Sequence, residues 1–146
     1  MEPRRIIPDL VIIHHTADDF YLNQLEKVNQ YHKERWNFPS ATGYFVGYHF
    51  FIEKSGEWTQ TRLINEEGAH LKGQNLHSLG IGLAGNFNTE LPTKNQIDAL
   101  KEILDQLFGQ DQFKFIDIAF HKEYAVTDCP GLLLTEQYLA TELLKR

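Results

Sequence analysis

The chain has 146 residues, 42% apolar and 23% charged, which suits one compact domain over residues 1–146 and excludes general disorder. With 14 Lys and Arg against 20 Asp and Glu, the net charge is −6, so no basic face and no nucleic-acid partner are expected. A single cysteine, Cys129, excludes a disulfide scaffold. In chain order, Leu10–Ile13 is a β-branched apolar run after Pro8-Asp9 and reads as a strand buried on both faces. Leu22, Leu25, Val28 and His32 fall at spacings of three and four, one stripe of a helix over residues 20–35, with His32 as a packing residue. Residues 36–43 form a loop broken by Pro39 and Gly43. Phe45–Glu53 and Glu57–Arg62 flank the turn Lys54-Ser55-Gly56 and read as a hairpin.

Asn65–Ser78 reads as a long irregular loop, the kind that usually carries function. Leu79–Ala84 is a strand of small residues against which something packs closely. Thr93 and Gln96 make a capping box, followed by the stripe Ile97, Leu100, Ile103, Leu104 and Leu107, and Gly109 stops the helix. Phe115–Phe120 is a further strand, His121–Gly131 a loop and Thr135–Lys145 a final helix. This alternation predicts an α/β fold, a central mixed sheet flanked by about three helices. No stretch approaches a membrane span, and the N-terminus lacks the apolar core of a signal peptide. Cytoplasmic synthesis as a soluble monomer is therefore expected; action at a cell wall would need release by another agent.

Seven histidines accompany the one cysteine. His14 and His15 are adjacent at a strand end, as are Tyr48 and His49 in the hairpin arm. Strand alternation lets at most one of each pair face a given site, but does not say which. His121 follows a strand, and Cys129 lies eight residues further on. Two histidines and a thiolate would make a three-ligand zinc site with a fourth position for water, the catalytic pattern. Residue types alone leave other readings open: a Cys129–His121 nucleophile and base, a Glu66-Glu67 carboxylate pair, or a buried free cysteine among ordinary histidines.

The ordered series is more specific. It runs Val11-Ile-Ile-His-His-Thr-Ala17, Gly47-Tyr-His-Phe-Phe-Ile52, Gly68-Ala-His70, Gly73-Gln-Asn75, Ser78-Leu-Gly-Ile81 and Gly85-Asn-Phe87. It closes with His121 and Thr127-Asp-Cys-Pro-Gly131. The chain resembles the zinc-dependent N-acetylmuramoyl-L-alanine amidases of the peptidoglycan recognition protein superfamily, including the small phage amidase-lysozymes. The resemblance implies that fold, with a zinc cleft at one edge, and peptidoglycan or a muropeptide as substrate. It implies one Zn²⁺ held by His14, His121 and Cys129, and catalytic positions at Tyr48 and Thr127. It places His70 and Asn75 along the substrate groove and leaves His15, His32 and His49 as architecture and His77 on a loop surface. Phage-type members often carry Lys where this chain has Thr127. The same superfamily contains non-catalytic peptidoglycan-binding receptors, which typically lack the thiol that Cys129 supplies here.

Overall fold

A computed structural model describes residues 3–18, 22–114 and 116–145. Five strands form one mixed sheet: β1 (Leu10–His15), β2 (Phe50–Ile52), β3 (Trp58–Gln60), β4 (Ser78–Leu83) and β5 (Asp117–Phe120), in the order β3-β2-β4-β1-β5. Only the β2–β3 hairpin is antiparallel; β2–β4, β4–β1 and β1–β5 are parallel. Three helices, α1 (Gln24–Trp36), α2 (Lys94–Phe108) and α3 (Glu136–Leu144), complete the expected architecture. Among the described residues, no helix is long and apolar enough to cross a membrane.

The period-two rule sorts the central strands. Val11 and Ile13 of β1 and Leu79, Ile81 and Leu83 of β4 join the main core with α2 and α3. Leu10 and Ile12 turn the other way, into a small cluster with Leu71 and Ala119. On that second face, Val28 of α1 packs with Val46, Tyr48, Phe51 and Ala84. His14 follows Leu10 and Ile12 by alternation, and Ser78, Gly80 and Gly82 of β4 lie between the residues of the main core. The site is built on this second face, where β1 and β5 end.

Several predicted elements are shorter than their patterns: β3 keeps Trp58–Gln60 of Glu57–Arg62, β5 keeps Asp117–Phe120, and α1 and β2 contract for visible reasons. The α1 helix starts at Gln24, behind an N-cap Asn23 in the left-handed region, so Leu22 precedes it and is exposed. Residues 20 and 21 of the predicted helix, and Phe115 at the start of the predicted fifth strand, lie outside the described residues. The arm Phe45–Glu53 contracts to Phe50–Ile52, because side chains rather than a neighbouring strand hold its first half. Phe45 N–H donates to Asn29 Oδ1 at 2.6 Å, and Gly47 N–H to His32 Nδ1 at 2.8 Å. By contrast, the capping box of α2 forms as read, with Thr93 as N-cap and Gly109 as C-cap.

Candidate metal centre and adjoining cleft

Three side chains from two distant stretches of sequence converge where β1 and β5 end. His14 is the fifth residue of β1, His121 directly follows β5, and Cys129 sits on the loop beyond. One ligand atom from each lies within 4.8 Å of the others. His14 Nδ1 is 3.8 Å from Cys129 Sγ. His121 Nδ1 is buried with no hydrogen-bond partner among the described residues, which is costly for a polar atom unless something else satisfies it. This donor set could hold a metal ion.

The surroundings favour ligation over thiol chemistry. Burial pushes the Cys129 thiol up to about 12, although the His15 backbone N–H donates to its sulfur at 3.3 Å. A thiol in that state is a poor nucleophile near neutral pH, whereas a cation would hold it as thiolate. Burial first, then the neighbouring His121, His32 and His15, hold His14 well below the usual histidine range, so its ring is neutral and able to ligate. The Cys129 loop is held by its own backbone: Lys122 N–H donates to the Cys129 carbonyl at 2.9 Å. Thr127 is exposed, and its Oγ1 accepts from Cys129 N–H at 3.2 Å, shaping the turn that presents the sulfur.

Tyr48 packs against His14, with ring centroids 5.0 Å apart. It sits just before β2 rather than within a strand. His49 is tied to β4 at the backbone and at its ring: its N–H donates to the Gly80 carbonyl at 2.8 Å and its Nδ1 accepts from Gly80 N–H at 3.0 Å, while Tyr48 packs on His14. Burial, with Cys129 and Asp18 nearby, raises the Tyr48 phenol, which therefore stays a protonated donor. Between α1 and the end of β1, a cleft of about 290 Å³ is lined by Thr16, Asp18, Lys27, Tyr31, His32 and Tyr48. Gly82 makes room for the tyrosine: a Cβ there would stand 2.3 Å from the Tyr48 ring. The small residues of β4 are thus the close-packing surface that the sequence suggested.

The remaining predicted positions divide. His15, His32 and His49 are buried and each accepts a backbone N–H, from Phe87, Gly47 and Gly80 respectively. His32 also lines the cleft. His77 is half-buried beside Asp9 and Gln74. His70, expected along a groove, lies between His14 and Ser78. It is 8% exposed, and its ring nitrogens are engaged by His14 and Ser78. Asn75 likewise turns inward, its Oδ1 accepting from the backbone N–H groups of His70 and Leu71. Loop-internal bonds of this kind leave no periodic trace in the sequence. Glu66 is committed to Ser40, Ala41 and Leu63, which removes the carboxylate-pair reading. Burial pushes Glu66 up, but these bonds and Arg62 outweigh it and hold the group below its usual value. Sequence reasoning missed the cleft residues Thr16, Asp18, Lys27 and Tyr31, and also Ser78. The alternation Ser78-x-Gly80-x-Gly82 was the available signal for Ser78.

A family profile described as N-acetylmuramoyl-L-alanine amidase matches residues 3–132. Peptidoglycan-recognition protein 2 of Holotrichia diomphalia is 35% identical over 134 residues, covering 85% of this chain and 67% of that protein. The chain spans about two thirds of the length of the curated relatives it matches. Among solved structures, the N-acetylmuramoyl-L-alanine amidase LysC from Clostridium intestinale URNW superposes with a TM-score of 0.78 at 30% identity, over 97% of this chain and 88% of that one. The Ph2119 endolysin from Thermus scotoductus MAT2119 bacteriophage Ph2119 gives 0.79 at 25% identity, over 99% and 90%.

Proposed function

Because the chain belongs to the N-acetylmuramoyl-L-alanine amidase family, we propose that it hydrolyses the amide joining the lactyl group of N-acetylmuramic acid to L-alanine of the stem peptide. One zinc ion would be held by His14, His121 and Cys129. The convergence of these three donors within 4.8 Å carries the reading. Donors of a tetrahedral zinc stand roughly 3.3–3.6 Å apart, from bond lengths of about 2.0–2.3 Å. The 3.8 Å between His14 Nδ1 and Cys129 Sγ needs only a small contraction.

Zinc supplies a Lewis acid and a bound water with a pKa near 7. The protein supplies the rest. Attack on the amide carbon places negative charge on the carbonyl oxygen, and the Tyr48 hydroxyl, protonated and beside His14, is suited to donate to it. Thr127 accepts from Cys129 N–H with its oxygen, which leaves its own hydroxyl hydrogen free to add a second bond. The cleft beside Tyr48 would take the part of the muropeptide adjoining the scissile bond.

Purified protein is expected to hold about one zinc per chain and to release stem peptide from muropeptides. A chelator should abolish that release, and Cys129→Ser should lose both metal and turnover. Metal-free protein that binds peptidoglycan without cutting it would instead establish a recognition module, the function that its relatives' names describe. Turnover that survives chelation and dies on thiol alkylation would establish the cysteine as nucleophile.

A further inference from the structure

Behind the metal-facing edge of His14, three residues form a continuous hydrogen-bonded row on the site face of β4 and its preceding loop. The single hydroxyl hydrogen of Ser78 goes to the Gln74 carbonyl at 2.7 Å. The Ser78 oxygen, 3.1 Å from His70 Nε2, is therefore the acceptor there, and His70 carries its proton on Nε2. The His70 ring packs against those of His14 and His49, and with its ring hydrogen on Nε2 it keeps a lone pair on Nδ1. That lone pair faces His14 Nε2 at 2.9 Å, which must supply the hydrogen. His14 is left with a bare Nδ1, the nitrogen directed at Cys129 Sγ.

We propose that His70 and Ser78 are positioning residues for the metal ligand His14: they fix its tautomer, and with it the nitrogen offered to the ion. The proposal rests on the reading of His14, His121 and Cys129 as a metal centre. Two glycines make room for the His70 ring where it meets His14. A Cβ at Gly80 would stand 2.7 Å from its Cγ, and one at Gly68 would stand 2.7 Å from its Cδ2. From behind, Asn75 Oδ1 accepts from the His70 backbone N–H at 3.0 Å and closes the turn that carries the Gln74 carbonyl. Such outer partners of ligand histidines set ring orientation and ligand basicity, and their loss typically weakens metal binding about 10–100-fold.

The test uses the full chain and two readouts independent of turnover. One is the imidazole nitrogen–proton correlation spectrum of the metal-free protein, which reports the His14 tautomer. The other is zinc affinity, measured by competition with a chromophoric chelator. Wild type is expected to show His14 protonated on Nε2. His70→Leu, which removes the acceptor, should mix the His14 tautomers and weaken zinc about 10–100-fold. His70→Asn keeps an oxygen near the Nδ1 position and should restore most of both properties, which a purely packing role would not predict. Ser78→Ala should fall between, and decides the matter if His70→Leu does not fold. Wild-type His14 protonated on Nδ1, or unchanged tautomer and zinc affinity in His70→Leu and Ser78→Ala, overturns the proposal. Wild type with the Nε2–H tautomer but no zinc uptake supports the hydrogen-bonded row and overturns the metal reading instead.

Discussion

A single added methyl group on β4 separates the two sides of the site. In Gly82→Ala the new carbon would meet the Tyr48 ring at 2.3 Å, and in Gly80→Ala the His70 ring at 2.7 Å. The first should cut stem-peptide release by about 100-fold, the scale of losing one oxyanion donor, while zinc stays bound. The second should loosen zinc before it affects anything else. Measuring bound metal and turnover on both variants checks the division; equal losses of both in each would show that the two rings do not act separately. The sequence limits each adjacent pair, His14 with His15 and Tyr48 with His49, to one site residue. It cannot supply the phase, because alternation has no sign until α2 claims Val11 and Ile13 for its own face. His70 is legible in the sequence as a residue of interest, but its burial is not. Its burial comes from a turn closed by Asn75, a contact between neighbours that obeys no period.

At the scale of elements, α2 carries the plainest message. Thr93 accepts from Gln96 N–H at 3.0 Å, and Gln96 returns the bond to Thr93 N–H at 3.0 Å. Gln96 is also buried, donating to the Ala84 carbonyl at 2.8 Å and so tying the helix start to the end of β4. Thr93→Ala should cost about 1 kcal/mol in urea unfolding. Gln96→Ala should cost more, because it also strands a buried carbonyl; the reverse order would mean that the cap dominates. This helix was readable because its signals are local: cap, stripe and stop lie within one segment. The α1 helix and β2 were read too long because their ends depend on tertiary partners. Asn29 and His32 capture the backbone of Phe45 and Gly47 before any strand can. The order of the strands was not legible either, since parallel pairing is decided by crossovers and not by the strands themselves.

Across the whole molecule, buried neutral histidines make stability depend on acid. Burial lowers His49 to about 3, while burial with Arg62 and Arg35 lowers His32 to about 4. An unfolded histidine titrates near 6.5, so below that pH the unfolded chain binds the extra protons. Stability is therefore whole above about 6.5 and is lost as pH falls toward 4 and then 3, by up to about 1.4 kcal/mol per unit for each group. Urea midpoints of metal-free protein between pH 7.5 and 4.5 should fall accordingly, and His32→Asn, which keeps an acceptor for Gly47 N–H, should flatten the slope; a level curve would contradict this. The convergence of the three donors also has a consequence in time. His14 and Cys129 are 115 residues apart. At about 5–20 residues per second a ribosome needs roughly 6–23 s to travel from one to the other. Until then the nascent chain holds one arm of a clasp whose other arms have yet to be made, so any ion held by all three would arrive only after the five strands have been synthesised.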